Sequence, residues 1–216
     1  MFSFWIYTTV LCSSVLPLIT FYFVPRKQRV FDVFFYFILF RLLTDLSCLI
    51  LEQTVKNGNP VFHFSIPINL IFILTLFQQE IKLNKRLLLA IVFGGMLFFF
   101  LDLFVTDGIY KFNYFSVLYS YTIISVVGWY YLNKSEFQVA SKHYLIPLSI
   151  YYTSLIFHAL FGHEIEQSKT MYEVIFPFFA SLTFLLNVSF VRAIWLKGKE
   201  GIKELKNEGL IERRDL

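Results

Sequence analysis

Charged residues are scarce in this chain of 216 residues: Asp, Glu, Lys and Arg together make up 16% of it, against about 25% in an average soluble domain. Hydrophobic residues make up 57%, above the roughly 45–50% that soluble domains contain. A globule of this size has too much surface to hide so many apolar side chains behind so few charges. The composition excludes an ordinary soluble enzyme and a disordered protein, and it indicates an integral membrane protein.

Cysteine and catalytic motifs are also sparse. The two cysteines, Cys12 and Cys48, each lie in an apolar run without a spacing pattern, which excludes a disulfide-stapled secreted scaffold. We expect both to be small buried apolar side chains. The chain has no glycine-rich phosphate loop, nucleophile elbow or CxxC pair. We therefore expect no cofactor, no nucleic-acid partner and no enzymatic activity of the soluble kind.

What the chain has instead is long apolar runs, and a spanning helix needs about 20 mostly apolar residues. Seven runs meet this criterion approximately, at residues 3–24, 31–51, 61–79, 87–105, 114–132, 144–161 and 171–195. Alternating ten-residue strands of a membrane barrel are absent from the sequence. The pattern predicts an all-α, polytopic membrane bundle of seven transmembrane helices at residues 1–196, followed by a short charged cytoplasmic helix at residues 197–216.

The distribution of Lys and Arg predicts the orientation, because cytoplasmic loops are enriched in these residues. Fifteen of the basic residues fall in alternate loops and in the C-terminal segment, and the opposite loops hold three, Lys56, Lys111 and Lys169. The remaining one, Arg41, lies within the second run. This asymmetry places the N-terminus outside and the C-terminus in the cytoplasm, as in a multi-pass protein of the plasma (inner) membrane.

The C-terminal segment, residues 197–216, is polar and helix-prone. Ile202, Leu205 and Leu210 fall loosely on one side of such a helix. Two interpretations stay open: a solvated extension of the last span, or a docking surface for a cytoplasmic or membrane protein partner.

Ionisable groups at bilayer depth are costly and usually face a bundle interior or an aqueous cavity. Arg41 and Asp45 have an i,i+4 spacing that puts them on one helix face near mid-depth, where they are either a structural pair or the floor of a polar cavity. The candidate ligand-binding or proton-relay residues in the spans are Arg41, Asp45, Asn69, Asp102, Tyr119 and His158. If their faces converge, they line an outward-opening vestibule for a small ligand or a proton.

These features favour a non-enzymatic sensor or adaptor that binds a small ligand or proton in this cavity and signals to a separate partner. A transporter of small solutes or protons is one alternative, and a subunit of a membrane complex is another. An intramembrane metal-dependent hydrolase is the least favoured, since His158 and His163 are about 140° apart on a helix and lack the i,i+4 spacing of a helical metal pair. We therefore predict no metal site.

Overall fold

The structure is a computed structural model, and it describes residues 2–24, 29–55, 59–81, 84–105, 114–133, 139–167 and 169–207. Within these ranges the chain forms helices and no strand, which confirms the all-helical prediction. The seven helices are α1 (Phe2–Tyr22), α2 (Arg29–Thr54), α3 (Asn59–Ile81), α4 (Lys85–Val105), α5 (Tyr114–Leu132), α6 (Val139–Gln167) and α7 (Lys169–Asn207).

Several hydroxyl groups within the helices are satisfied by the carbonyl one turn earlier. Thr75 Oγ1 donates to the carbonyl of Ile71 at 2.7 Å, and Ser149 Oγ donates to the carbonyl of Leu145 at 2.8 Å. Bonding back to residue i−4 lets Ser and Thr sit inside an apolar helix without an unpaired donor. These residues are therefore compatible with a hydrocarbon environment.

Four of the helices are long and apolar enough to cross a membrane. Their apolar stretches are Asp32–Leu51, Lys85–Val105, Lys142–Phe161 and Glu173–Glu200. Each of the seven helices also exposes large apolar side chains; in α4, Phe93 is 73% and Phe104 is 82% exposed. Apolar surface on this scale is disfavoured in water and favoured against lipid. Both observations indicate a membrane protein.

Successive helices pack antiparallel, and α1 and α7 close the ring. Phe21 near the end of α1 meets Phe34 near the start of α2, with ring centroids 6.0 Å apart. Phe34 also meets Phe190 of α7 at 5.1 Å and Tyr144 of α6 at 5.1 Å. A further contact joins α3 to α5 inside the ring. Aromatic side chains thus fill the space where four helices face one another.

The buried apolar core is unevenly distributed along the bundle. We call the end where α2, α4 and α6 begin the basic end. The large core cluster runs from this end to mid-height and includes Phe21, Phe77, Tyr144 and Ile194. Toward the opposite end, the buried apolar cluster consists of Ile66, Val117 and Ala159, with partly buried neighbours. The described part of the bundle is therefore more densely packed at the basic end.

The helix α7 continues past the predicted end of the last span. It runs without interruption from residue 196 to Asn207, and Lys197 is buried, with its Nζ 5.6 Å from the centroid of the Tyr144 ring. A side-chain carbon on Gly198 would collide with Val24 Cγ1, so this glycine permits the close approach of α7 to the end of α1. Ile202 and Leu205 lie on α7, but their side chains, and all of Leu210, are outside the described residues.

One expectation about cysteine is wrong. Cys12 is exposed on α1 and Cys48 is of intermediate exposure on α2, and no disulfide joins them. An outward-facing thiol is compatible with an apolar helix because the surroundings of a membrane bundle are themselves apolar. Sequence pattern alone could not distinguish a core-facing from a lipid-facing position on this helix.

Candidate functional site

A polar cleft lies among α2, α3, α5 and α6. Its volume is about 80 Å³ and it is partly open to the outside of the bundle. The lining residues are Arg41, Thr44, Asp45, Ser65, Ile66, Asn69, Tyr121, Tyr151, Tyr152 and Leu155. Most of them fall near the middle of their helices, so the cleft sits at mid-height, directly beyond the large core cluster.

Helical spacing explains why these side chains meet. Arg41 and Asp45 are four residues apart on α2, and Ser65 and Asn69 are four apart on α3. Residues at this spacing lie above one another on the same face. The antiparallel packing of α2 on α3 brings the two polar faces together. Three sequence-predicted residues, Arg41, Asp45 and Asn69, therefore line one cleft.

Aromatic rings surround the Arg41 guanidinium. Its central carbon lies 5.4 Å from the ring centroid of Tyr151, 5.9 Å from that of Phe37 and 5.9 Å from that of Phe190. Each of these is within the range of a cation–π interaction. The rings come from α6, α2 and α7, so the position of this cation depends on three helices at once.

Three buried atoms of the cleft have no hydrogen-bond partner among the described residues. They are Arg41 Nη1, Asp45 Oδ2 and Asn69 Oδ1. The opposite charges of Arg41 and Asp45 attract each other, and the Ser14 hydroxyl of α1 also interacts with the Asp45 carboxylate. A buried polar atom without a partner costs about 1–3 kcal/mol. The cleft is therefore equipped to bind a polar group.

A second polar contact, between α1 and α7, adjoins the cleft through Ser14. Asn187 Nδ2 of α7 donates to Ser13 Oγ at 2.9 Å and to Ser14 Oγ at 3.1 Å. All three residues are buried. Since Ser14 also interacts with Asp45, a continuous set of polar side chains leads from the cleft to the middle of α7.

Asp102 lies away from the cleft, at the contact of α4 with α5. Its Oδ1 accepts the backbone N–H of Phe115 at 2.9 Å, and its Oδ2 accepts the N–H of Ser116 at 2.6 Å. The first N–H groups of a helix have no partner within that helix, and they favour a negative charge. Asp102, which is fully buried, therefore caps the start of α5.

Tyr119 also lies at the contact of α4 with α5. Its hydroxyl donates to the carbonyl of Ile91 at 3.0 Å, and its ring lies 4.8 Å from that of Phe98. A side-chain carbon on Gly94 would collide with the Tyr119 hydroxyl, so the glycine makes room for the phenol. Helix packing explains the present position of Tyr119.

His158 lies on α6, but its side chain is outside the described residues. Within the residues that the structure does describe, no group of three or more His, Cys, Asp or Glu side chains could hold a metal ion.

Sequence reasoning missed several residues of the site. Tyr151, Tyr152 and Ser65 line the cleft, and Asn187 lies next to it. Two adjacent phenols at the middle of a span, and an amide at the middle of the last one, are polar groups at bilayer depth. This depth is the signal in the sequence that could identify them.

No family model matches the chain, and no curated protein or solved structure is significantly similar to it. The site must therefore be interpreted from its own geometry and chemistry.

Proposed function

We propose that this protein is a seven-span membrane sensor that binds a small polar ligand in the cleft and transmits its occupancy through α7 to a separate protein. One observation carries the proposal. The helix α7 contributes Phe190 to the surroundings of Arg41, and it contributes Asn187 to the polar contact with α1. The same helix continues to Asn207. A shift of α7 at the cleft is thereby also a shift at its charged end.

The lengths of the other helices support seven spans. Besides the four apolar stretches already described, α1, α3 and α5 have 21, 23 and 19 residues. At 1.5 Å per residue they are about 28–35 Å long, close to the roughly 30 Å of the hydrocarbon core. Tyrosine and serine residues interrupt the apolar sequence of α5, which carries Tyr121 of the cleft.

The basic end supports the proposed orientation, with the N-terminus outside and the C-terminus in the cytoplasm of a plasma-membrane protein. In the sequence, fifteen of the 19 Lys and Arg residues fall at or just before the starts of α2, α4 and α6, or in the C-terminal part of the chain, as expected for cytoplasmic segments. The large core cluster fills this half of the bundle, and the cleft lies beyond it. A bundle that is closed at the cytoplasmic half and has its cleft at mid-height favours access from the outer side.

The length of α7 supports a cytoplasmic output. Its 39 residues extend for about 58 Å, nearly twice the roughly 30 Å hydrocarbon thickness. A partner that recognises the charged end, in whose sequence Ile202, Leu205 and Leu210 occur, would respond directly to the position of α7.

A distance measurement between spin labels tests the coupling of the cleft to α7. Labels are placed at Lys85→Cys and Lys199→Cys, both exposed in the wild type, after both native cysteines are replaced by serine. In the reconstituted protein, Arg41→Gln is expected to shift the distance distribution because it removes the cation that contacts α7 through Phe190. The control Arg192→Gln changes an exposed residue of α7 and is expected to leave the distribution unchanged. Identical distributions in all three proteins would overturn the proposal.

A transporter is the second candidate, because substrate sites of transporters lie near the bilayer midplane and this cleft is at mid-height. Uptake of radiolabelled glycine into proteoliposomes distinguishes the two functions. Saturable uptake that is lost in both Arg41→Ala and Asp45→Ala would favour transport over sensing. A sensor is expected to show no uptake above empty vesicles.

A further inference from the structure

The unpartnered atoms of the cleft define what a ligand must present. Arg41 Nη1 is a cationic donor, whereas Asp45 Oδ2 and Asn69 Oδ1 are acceptors, one of them anionic. A ligand that satisfies all three needs an anionic acceptor for the guanidinium and a cationic group with at least two donors for the oxygens. A carboxylate and a primary ammonium meet these requirements in one molecule.

A ligand with a single charge would satisfy the cleft only in part. An amine would make the Arg41 guanidinium share the Asp45 carboxylate with a second cation, and a carboxylate would face Asp45 at close range. A charge that stays buried without its partner is strongly unfavourable. A neutral polyol can supply hydrogen bonds, but charge-assisted bonds are roughly twice as strong. The charges therefore favour a zwitterion over these other classes.

The size of the cleft restricts the ligand further. Its volume is about 80 Å³, room for roughly five to eight water-sized groups at about 10–15 Å³ each. The shortest amino acids have about that many non-hydrogen atoms. Ile66, Leu155 and the ring of Tyr121 limit the space around the charged groups, so a bulky side chain would require the helices to move.

We infer that the cleft binds a short, unbranched amino acid as its zwitterion, with the ligand carboxylate on Arg41 and the ligand ammonium between Asp45 and Asn69. This inference rests on the proposed function, in which the cleft is the ligand site. It adds the chemical class of the ligand and the role of each residue.

Thermal unfolding of the full-length protein in detergent micelles tests the ligand class. The probes are glycine, β-alanine and 4-aminobutyrate, and the single-charge controls are propylamine and propionate at the same concentration and ionic strength. At least one zwitterion is expected to raise the unfolding temperature saturably, by about 3–6 °C at ten times its dissociation constant. The single-charge controls are expected to give no saturable rise. No effect of any zwitterion, or an equal effect of one of the controls, would overturn the inference.

Charge-neutralising variants test the assignment of the two ends. Arg41→Gln and Asp45→Asn are each expected to weaken zwitterion binding at least tenfold. Arg41→Gln also removes the charge that repels an amine, and Asp45→Asn removes the charge that repels a carboxylate. Arg41→Gln should therefore bind propylamine better than the wild type does, and Asp45→Asn should bind propionate better. The matched controls Arg192→Gln and Asp32→Asn alter exposed residues of α7 and α2 and should bind zwitterions as the wild type does. Variants with unaltered zwitterion affinity would refute the assignment.

The two proposals fail in different ways. Saturable zwitterion binding without a change in the spin-label distances would overturn the sensor function and leave the ligand class standing. A change in these distances on Arg41→Gln, with no zwitterion bound by the wild type, would overturn the ligand class and leave the coupling to α7 standing. The ligand series on the wild-type chain does not depend on how well any variant folds.

Discussion

Replacement of Asp102 by alanine tests whether this buried carboxylate stabilises the fold or binds a ligand. The substitution removes both acceptors of the N–H groups of Phe115 and Ser116 at the start of α5. A hydrogen bond to a charged group contributes about 1.5–3 kcal/mol, and loss of an N-terminal cap costs about 0.5–2 kcal/mol in proteins. Relief of the cost of burying a carboxylate offsets part of this loss. We expect a decrease of about 2–3 kcal/mol in the free energy of unfolding.

The conservative variant Asp102→Asn should cost less. Its amide keeps one oxygen acceptor but presents an NH₂ group to the second backbone N–H, so about half of the stabilisation is expected to remain. The exposed Asp32 provides the control, and Asp32→Ala should change stability by no more than about 0.5 kcal/mol. Unfolding is followed by circular dichroism as SDS is titrated into the micelles.

Two outcomes would refute the capping role of Asp102. One is an unfolding free energy of Asp102→Ala within about 0.5 kcal/mol of the wild type. The other is a loss of zwitterion binding in a variant whose stability is unchanged, because Asp102 would then belong to the ligand site.

Two further substitutions test how the helices are held together. Gly128→Ala places a carbon against Ser149 Oγ and should destabilise the protein by about 1–3 kcal/mol through overpacking. In an SDS titration, adding Ser149→Ala to the same chain should restore part of the lost stability. Additive effects of the two substitutions would contradict the contact. Asn187→Leu removes two hydrogen bonds to the serines of α1 and should cost about 1 kcal/mol, since such bonds in membrane proteins contribute about 0.6 kcal/mol each. In the same titration, Ser181→Ala, a change at an exposed position, should leave the free energy of unfolding unchanged. If Asn187→Leu were as stable as the wild type, the stabilising role of the α1–α7 contact would be contradicted.

Local regularities made part of the site predictable from the sequence. The i,i+4 spacing of Arg41 and Asp45 determines a shared face in any helix, and the position of their charged atoms inside the bundle follows from the cost of ionisable groups in lipid. The seven apolar runs likewise correspond to the seven helices, because apolar runs in a membrane chain must satisfy their backbone groups internally. Both α6 and α7 are longer than their runs, since a helix can continue with polar residues beyond the apolar core.

The rest of the site depends on helix rotation and pairing, which periodicity does not determine in a chain with apolar residues on every face. Asp102 and Asn69 are both polar groups within apolar runs, yet one caps the next helix and the other lines the cleft. Only the packing of α2 on α3 and of α4 on α5 distinguishes them. The same packing brings Tyr151 to Arg41, a contact that no spacing along the chain encodes.

Accessibility of Asn69 in the membrane tests the central claim, an outward-facing polar cleft at mid-height, most directly. Asn69→Cys is introduced after both native cysteines are replaced by serine, and intact cells and inside-out vesicles are treated with a membrane-impermeant thiol reagent. The control is Phe77→Cys, at a fully buried position of the same helix near the basic end, which should not react from either side. We predict that the cysteine at residue 69 is modified from the outer side, opposite the C-terminal tail. Modification only from the cytoplasmic side, or from neither side, would contradict the account.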